Sequence, residues 1–192
     1  MKFRNPASIV AKIFAAVILV GDASAVTEAA TEKMTIEDYF LLLPPRDTFE
    51  GPPSVWLLSM KQEPKRGLID VRNGYMSYAG DGAQAAFEVA LFRFRDGSPL
   101  LAVYWGDHIE DESMENPRRF GLVFLDFFRL GADKQMHKVS RSIFPISDAG
   151  NRKGNWRFEL PRYGRTVLVL SQQSGAILHK LRWNGEEFVE DR

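Results

Sequence analysis

From Ala86 to Trp105 the chain reads Ala-Phe-Glu-Val-Ala-Leu-Phe-Arg-Phe-Arg, then Asp-Gly-Ser-Pro, then Leu-Leu-Ala-Val-Tyr-Trp. Two runs rich in β-formers flank a four-residue turn, Asp96-Gly97-Ser98-Pro99, which is a β-hairpin signal. Phe87, Val89 and Leu91 fall on one face of the first run, and Ala90, Phe92 and Phe94 on the other. A strand apolar on both faces belongs inside a structure, because exposing either face to water leaves apolar area unburied. The hairpin is therefore expected at the centre of an antiparallel sheet.

Strand candidates recur around it about every ten residues, with turns between them. Leu68-Ile69-Asp70-Val71 and Tyr75-Met76-Ser77-Tyr78 flank Asn73-Gly74, a tight-turn signal. Residues 120–130 form an apolar run interrupted by Asp126, and residues 135–140 follow the Gly131-Ala132-Asp133 turn. Trp156, Phe158 and Leu160 alternate with Arg157 and Glu159, the pattern of a half-buried strand. Residues 166–170 and 177–183 are further strands. Asn184-Gly185 is then read as a two-residue turn with positive φ at both positions, setting Trp183 opposite Glu186. Residues 55–60 fit strand or helix equally. Helical spacing is clear only at Ile36, Tyr39, Phe40 and Leu43, behind a Thr35 N-cap and ahead of Pro44-Pro45. The expected fold is mainly β: an antiparallel meander forming a sandwich or barrel-like sheet, with one short N-terminal helix.

The first 25 residues read as an address. Lys2 and Arg4 precede an apolar stretch, and Ala23-Ser24-Ala25 places small residues where a signal peptidase reads. The uninterrupted apolar core, residues 13–20, is shorter than the roughly 20 residues a bilayer span needs. The expected organisation is a signal peptide over 1–25, a flexible mature terminus over 26–33 and a single β domain over 34–192, in a periplasmic or secreted protein. Cleavage after Ala25 leaves 167 of the 192 residues, with 22 basic and 24 acidic side chains. That balance draws the protein toward neither nucleic acid nor an anionic membrane. With no cysteine in the chain, thiol chemistry and cysteine-based metal sites are excluded, and stability must come from core burial.

One set of segments carries a resemblance. They are Asp70-Val71-Arg72-Asn73-Gly74-Tyr75-Met76, Glu88-Val89-Ala90-Leu91-Phe92, Gly97, Leu101-Ala102-Val103, Glu159-Leu160-Pro161, Gly164, Thr166-Val167-Leu168-Val169, and the ending Leu181 to Phe188. Over residues 68–189 the chain resembles a group of small exported bacterial proteins with an Asn-Gly-Tyr hairpin and a closing Trp-Asn-Gly turn. The resemblance implies export and β structure. It carries no activity and no catalytic residue.

His108, His137 and His179 lack the spacing of a zinc-hydrolase helix, and there is no Gly-x-Ser-x-Gly elbow or phosphate-binding glycine loop, so no cofactor is expected. Two constellations remain. Asp107, His108, Glu110, Asp111 and Glu112 offer oxygens to a hard cation or acids to a hydrolase, but lack calcium-loop spacing and read first as a solvated acidic loop. Arg152, Lys153, Trp156, Arg157, Arg162, Tyr163 and Arg165 interleave basic and aromatic residues, as binding of an anionic envelope polymer would need. The simpler reading makes the arginines strand-edge charges that discourage edge pairing. The sequence thus favours a non-enzymatic exported domain that binds an envelope polymer or a protein. The alternatives are a hydrolase built on the acidic loop and an inhibitor of a cell-wall hydrolase. The last is weakened because Leu178 stands where a tyrosine would follow Ser174-Gly175.

Overall fold

Phe87 and Val89 on one face of the central strand, and Ala90 and Phe92 on the other, are all buried. Each face has its own cover. The computed structural model describes residues 33–45, 52–80, 86–106, 124–146 and 156–191. Helices α1 (Ile36–Leu41) and α2 (Pro53–Gln62) precede six strands: β1 (Gly67–Asp70), β2 (Tyr75–Tyr78), β3 (Ala86–Arg93), β4 (Pro99–Gly106), β5 (Phe124–Leu130) and β6 (Met136–Lys138). Four more follow: β7 (Trp156–Glu159), β8 (Thr166–Ser171), β9 (Ile177–Trp183) and β10 (Phe188–Glu190). β1 to β6 form one antiparallel sheet in sequence order, and β7 to β10 a second. The expected central hairpin is β3–β4, in the middle of the larger sheet, with Ala90 opposite Ala102 and Arg93 opposite Pro99.

Phe87, Val89, Leu101, Val103 and Trp105 pack against Ile36, Tyr39 and Phe40 of α1 and Trp56, Leu57 and Met60 of α2. On the opposite face, Ala90, Phe92, Leu100, Ala102 and Tyr104 pack against Phe158, Val167, Val169, Leu181, Trp183 and Phe188 of the second sheet. The result is a helical layer, a six-stranded sheet and a four-stranded sheet, so the sandwich form of the expected fold is the one adopted. Trp183 and Phe188 meet at 4.9 Å, and Phe92 and Phe188 at 5.2 Å edge to face, geometries favourable to aromatic quadrupoles.

One open reading is resolved and one expectation is corrected. Residues 55–60 belong to α2, a second helix. Pro53 at its first turn suits the start of a helix, where the missing N–H has no intrahelical partner. A Cβ at Gly67 would come within 2.7 Å of the Met60 backbone, so glycine lets α2 lie directly on β1. At the closing hairpin, Trp183 pairs with Phe188, not with Glu186. The Asn184 side chain accepts the Glu186 and Glu187 N–H groups at 2.8 and 3.0 Å. That Asx-type arrangement satisfies the turn without positive φ at Asn184 and lengthens the connection to residues 184–187. Only Gly185 takes positive φ there, at 102°. Leu181 and Phe188 still share the buried face.

The Thr35 cap is as expected. Its hydroxyl accepts the Asp38 N–H, while the Asp38 carboxylate accepts the Thr35 N–H at 2.7 Å, a reciprocal box. Asp126, the acid in the apolar run, is 5% exposed and pairs with Lys138 at 2.7 Å. Among the described residues no helix is long and apolar enough to cross a membrane.

Candidate functional site

The inner face of the larger sheet, largely apolar at its centre, carries a polar row where it meets β7. Ser77 of β2 lies opposite Glu88 of β3, and Glu88 opposite Tyr104 of β4. Tyr75, two residues from Ser77 on the same strand, shares that face. The row looks toward β7, and the Leu160 N–H just after β7 donates to the Glu88 carboxylate at 2.7 Å. This bond joins the two sheets at a point where side chains do not fill the space between them. A cleft of about 510 Å³ opens there, walled by Tyr75, Glu88, Tyr104, Arg157, Glu159 and Arg162. A smaller recess of about 270 Å³, reached past Ser77 and Arg66, ends on the same Tyr75, Glu88 and Tyr104.

Burial dominates the electrostatics. It penalises the charged form of Glu88 and, with the neighbouring charge of Glu159, outweighs the Leu160 N–H, the Tyr75 hydroxyl and Arg157, pushing the carboxyl up to about 7. At neutral pH Glu88 is thus poised between donor-bearing acid and acceptor-only carboxylate. Burial, followed by the charge of Glu88, pushes both Tyr75 and Tyr104 up to about 12, so both phenols keep their protons. Cleft walls with phenols, a switchable carboxyl and a guanidinium can hydrogen-bond a polar ligand from several directions, while Leu68, Pro161 and Leu168 supply apolar contact.

The residues singled out in the basic–aromatic run are distributed by the fold. Arg157, Arg162 and Tyr163 line this cleft. Arg162 donates to Asp70 at 2.7 Å, bridging the β7–β8 loop to the end of β1, and its guanidinium stacks on exposed Tyr163 at 5.2 Å. The Asp70 carboxyl is held low by Asn73 and Arg162. Arg165 faces a different cleft. Trp156 packs at the margin of the inter-sheet core and against His179. Arg152 and Lys153 lie outside the described residues, as do Asp107, His108, Glu110, Asp111 and Glu112. Among the described residues no group of three or more His, Cys, Asp or Glu side chains gathers to hold a metal ion.

Glu88, Tyr75 and Tyr104 belong to no sequence motif. The available signal was a lone acid in a strand otherwise apolar on both faces, which requires either a partner or a cavity for its charge.

No family model, curated protein or solved structure matches this chain.

Proposed function

We propose that this protein is a non-enzymatic, exported domain that binds a hydroxyl-rich envelope component, of the glycan class, in the cleft between its sheets. The observation that carries the reading is the convergence of Tyr75, Glu88 and Tyr104 with Arg157 on one open cleft. Sugars present hydroxyls at their edges and C–H groups on their faces. Phenols, a carboxyl and a guanidinium meet the first, and Leu68, Pro161 and the tyrosine rings meet the second. Charges of both signs line the cleft, which suits a neutral or zwitterionic ligand better than a polyanion. Export is supported by the amino-terminal pattern ending at Ala25, and the resemblance to small exported bacterial proteins points the same way.

A second reading is favoured by Glu88 alone. A carboxyl poised near 7 in a cleft has the properties of a general acid or base, and would make the protein a hydrolase of the same ligand class. Titration of oligomers of N-acetylated hexosamines, followed by calorimetry and by chromatography of the ligand, separates the two. Binding with intact ligand, weakened at least tenfold in Glu88→Ala and Tyr104→Phe, supports the binding domain. Glu88-dependent product formation supports the hydrolase. Absence of binding, or binding indifferent to both substitutions, refutes both.

A further inference from the structure

A second cleft, of about 430 Å³, lies across the 161–165 loop from the first and differs from it in charge. Its charged lining residues are Lys33, Arg72, Arg93 and Arg165, with no acid among them. They come from four separate places: the segment before α1, the β1–β2 turn, the end of β3 and the loop before β8. The acids nearby in the chain are already engaged. Asp70 takes hydrogen bonds from Asn73 and Arg162, and Asp38 closes the Thr35 capping box. Arg72 and Arg165 are exposed and form no ion pair or side-chain hydrogen bond among the described residues. Arg93 donates one guanidinium bond to the Gly97 carbonyl at 3.0 Å, leaving its other N–H groups available.

The backing of this cleft is apolar. Leu91, Phe92 and Trp183 line it, and Trp183 is fixed in place by an indole N–H donated to the Arg93 carbonyl at 2.7 Å. Four like charges gathered on a low-dielectric surface repel one another, and an anion relieves that repulsion more effectively there than in open water. Three of the four are arginines, whose planar forks match the paired oxygens of phosphoryl groups.

We infer that this second cleft binds a multiply charged oxyanion of the phosphoryl class. The site is independent of the glycan cleft and of whether that reading holds. Its cations derive from both sheets and from the segment before α1, so the intact fold is needed to assemble it.

The test uses the full chain and inorganic phosphate and pyrophosphate as probes, against sodium chloride at matched ionic strength. Calorimetry and the NMR signal of the Trp183 indole are the readouts. The expected result is saturable binding that shifts the Trp183 indole, with pyrophosphate tighter than phosphate. Arg72→Gln and Arg165→Gln should each weaken it at least tenfold, and the double variant should abolish it. Arg157→Gln, in the other cleft, should bind as wild type. Unchanged near-ultraviolet circular dichroism shows that the variants remain folded, and Arg165→Lys supplies a further charge-conserving variant that should bind more weakly than wild type but better than Arg165→Gln. Vesicles of phosphatidylglycerol, compared with phosphatidylcholine, distinguish a lipid headgroup from a free anion. Cosedimentation lost in the double variant assigns the headgroup; phosphate binding without cosedimentation assigns the free anion. The inference is overturned if phosphate acts no differently from chloride, if the double variant binds as wild type, or if binding leaves the Trp183 indole unmoved.

Discussion

Replacing Glu88 by glutamine should stabilise the protein above pH 7 and leave its stability nearly unchanged at pH 4.5. The Glu88 carboxyl sits at about 7 in the fold against an ordinary value of 4.5. Between those values the folded state holds a proton that the unfolded chain has released, so stability falls as pH rises through this window. At ~1.4 kcal/mol per pH unit, the difference amounts to about 3 kcal/mol once both states are ionised. Glutamine keeps an oxygen to accept the Leu160 N–H and never ionises, so it escapes that loss. For a domain of this size the gain corresponds to roughly 6–12 °C in Tm. The assay is urea unfolding of wild type and Glu88→Gln from pH 4.5 to 8.5, with the two free energies subtracted at each pH. Groups common to both proteins cancel in the difference. Asp38, Asp70, Asp96 and Asp133 are shifted the other way, below 3.8. Their contribution is lost only at more acidic pH and does not enter the window. A difference that stays flat from pH 4.5 to 8.5 would refute the claim that Glu88 is ionised at a cost inside the fold.

Phe92→Ala should destabilise by about 3–5 kcal/mol, the range for truncating a buried aromatic, because Phe92 is 4% exposed and wedged against Trp183 and Phe188. A denaturant midpoint and slope equal to wild type would contradict that. Gly185→Val should destabilise by about 1–2 kcal/mol, since a residue with φ of 102° strains any β-branched side chain and a Cβ would meet the Arg95 side chain at 2.9 Å; Gly185→Ala should cost less, and equal losses would implicate something other than branching. Intact-mass measurement of the exported fraction of producing cells should find a chain beginning at Val26, and recovery of only full-length chain from the cytosol would rule this out.

The central hairpin was legible because its apolar residues occupy both faces of each strand, a pattern that admits no exposed position. Layering was less so. Helix α2 contributes Trp56, Leu57 and Met60 to the core, but its short apolar stretch carries no periodicity that separates helix from strand. The closing hairpin was legible as a hairpin and not in register, because the Asn184 side chain competes for the same N–H groups that a shorter turn would use. The cleft residues were the least legible. Glu88 and Tyr104 are 16 positions apart and become neighbours only through strand pairing, and Arg157 joins them only when the second sheet docks. The clustering of Arg162, Tyr163 and Arg165 along the chain suggested one surface, whereas the loop that carries them divides two clefts.

Both sheets are assembled from strands in unbroken sequence order, so nearly all their pairing is between neighbours along the chain. Such low-separation contacts form early and at small entropic cost. What must come later is the meeting of the two meanders, and that seam is fastened by a short set of polar bonds: Leu160 to Glu88, Arg162 to Asp70, the Trp183 indole to Arg93, and Arg95 to the Gly185 carbonyl. Both clefts lie along this seam. A ligand in either one therefore touches both sheets and acts as a tie between them. Occupancy would show itself first in slower amide hydrogen exchange in β7 to β10, the smaller piece, which gains protection whenever the seam is held shut.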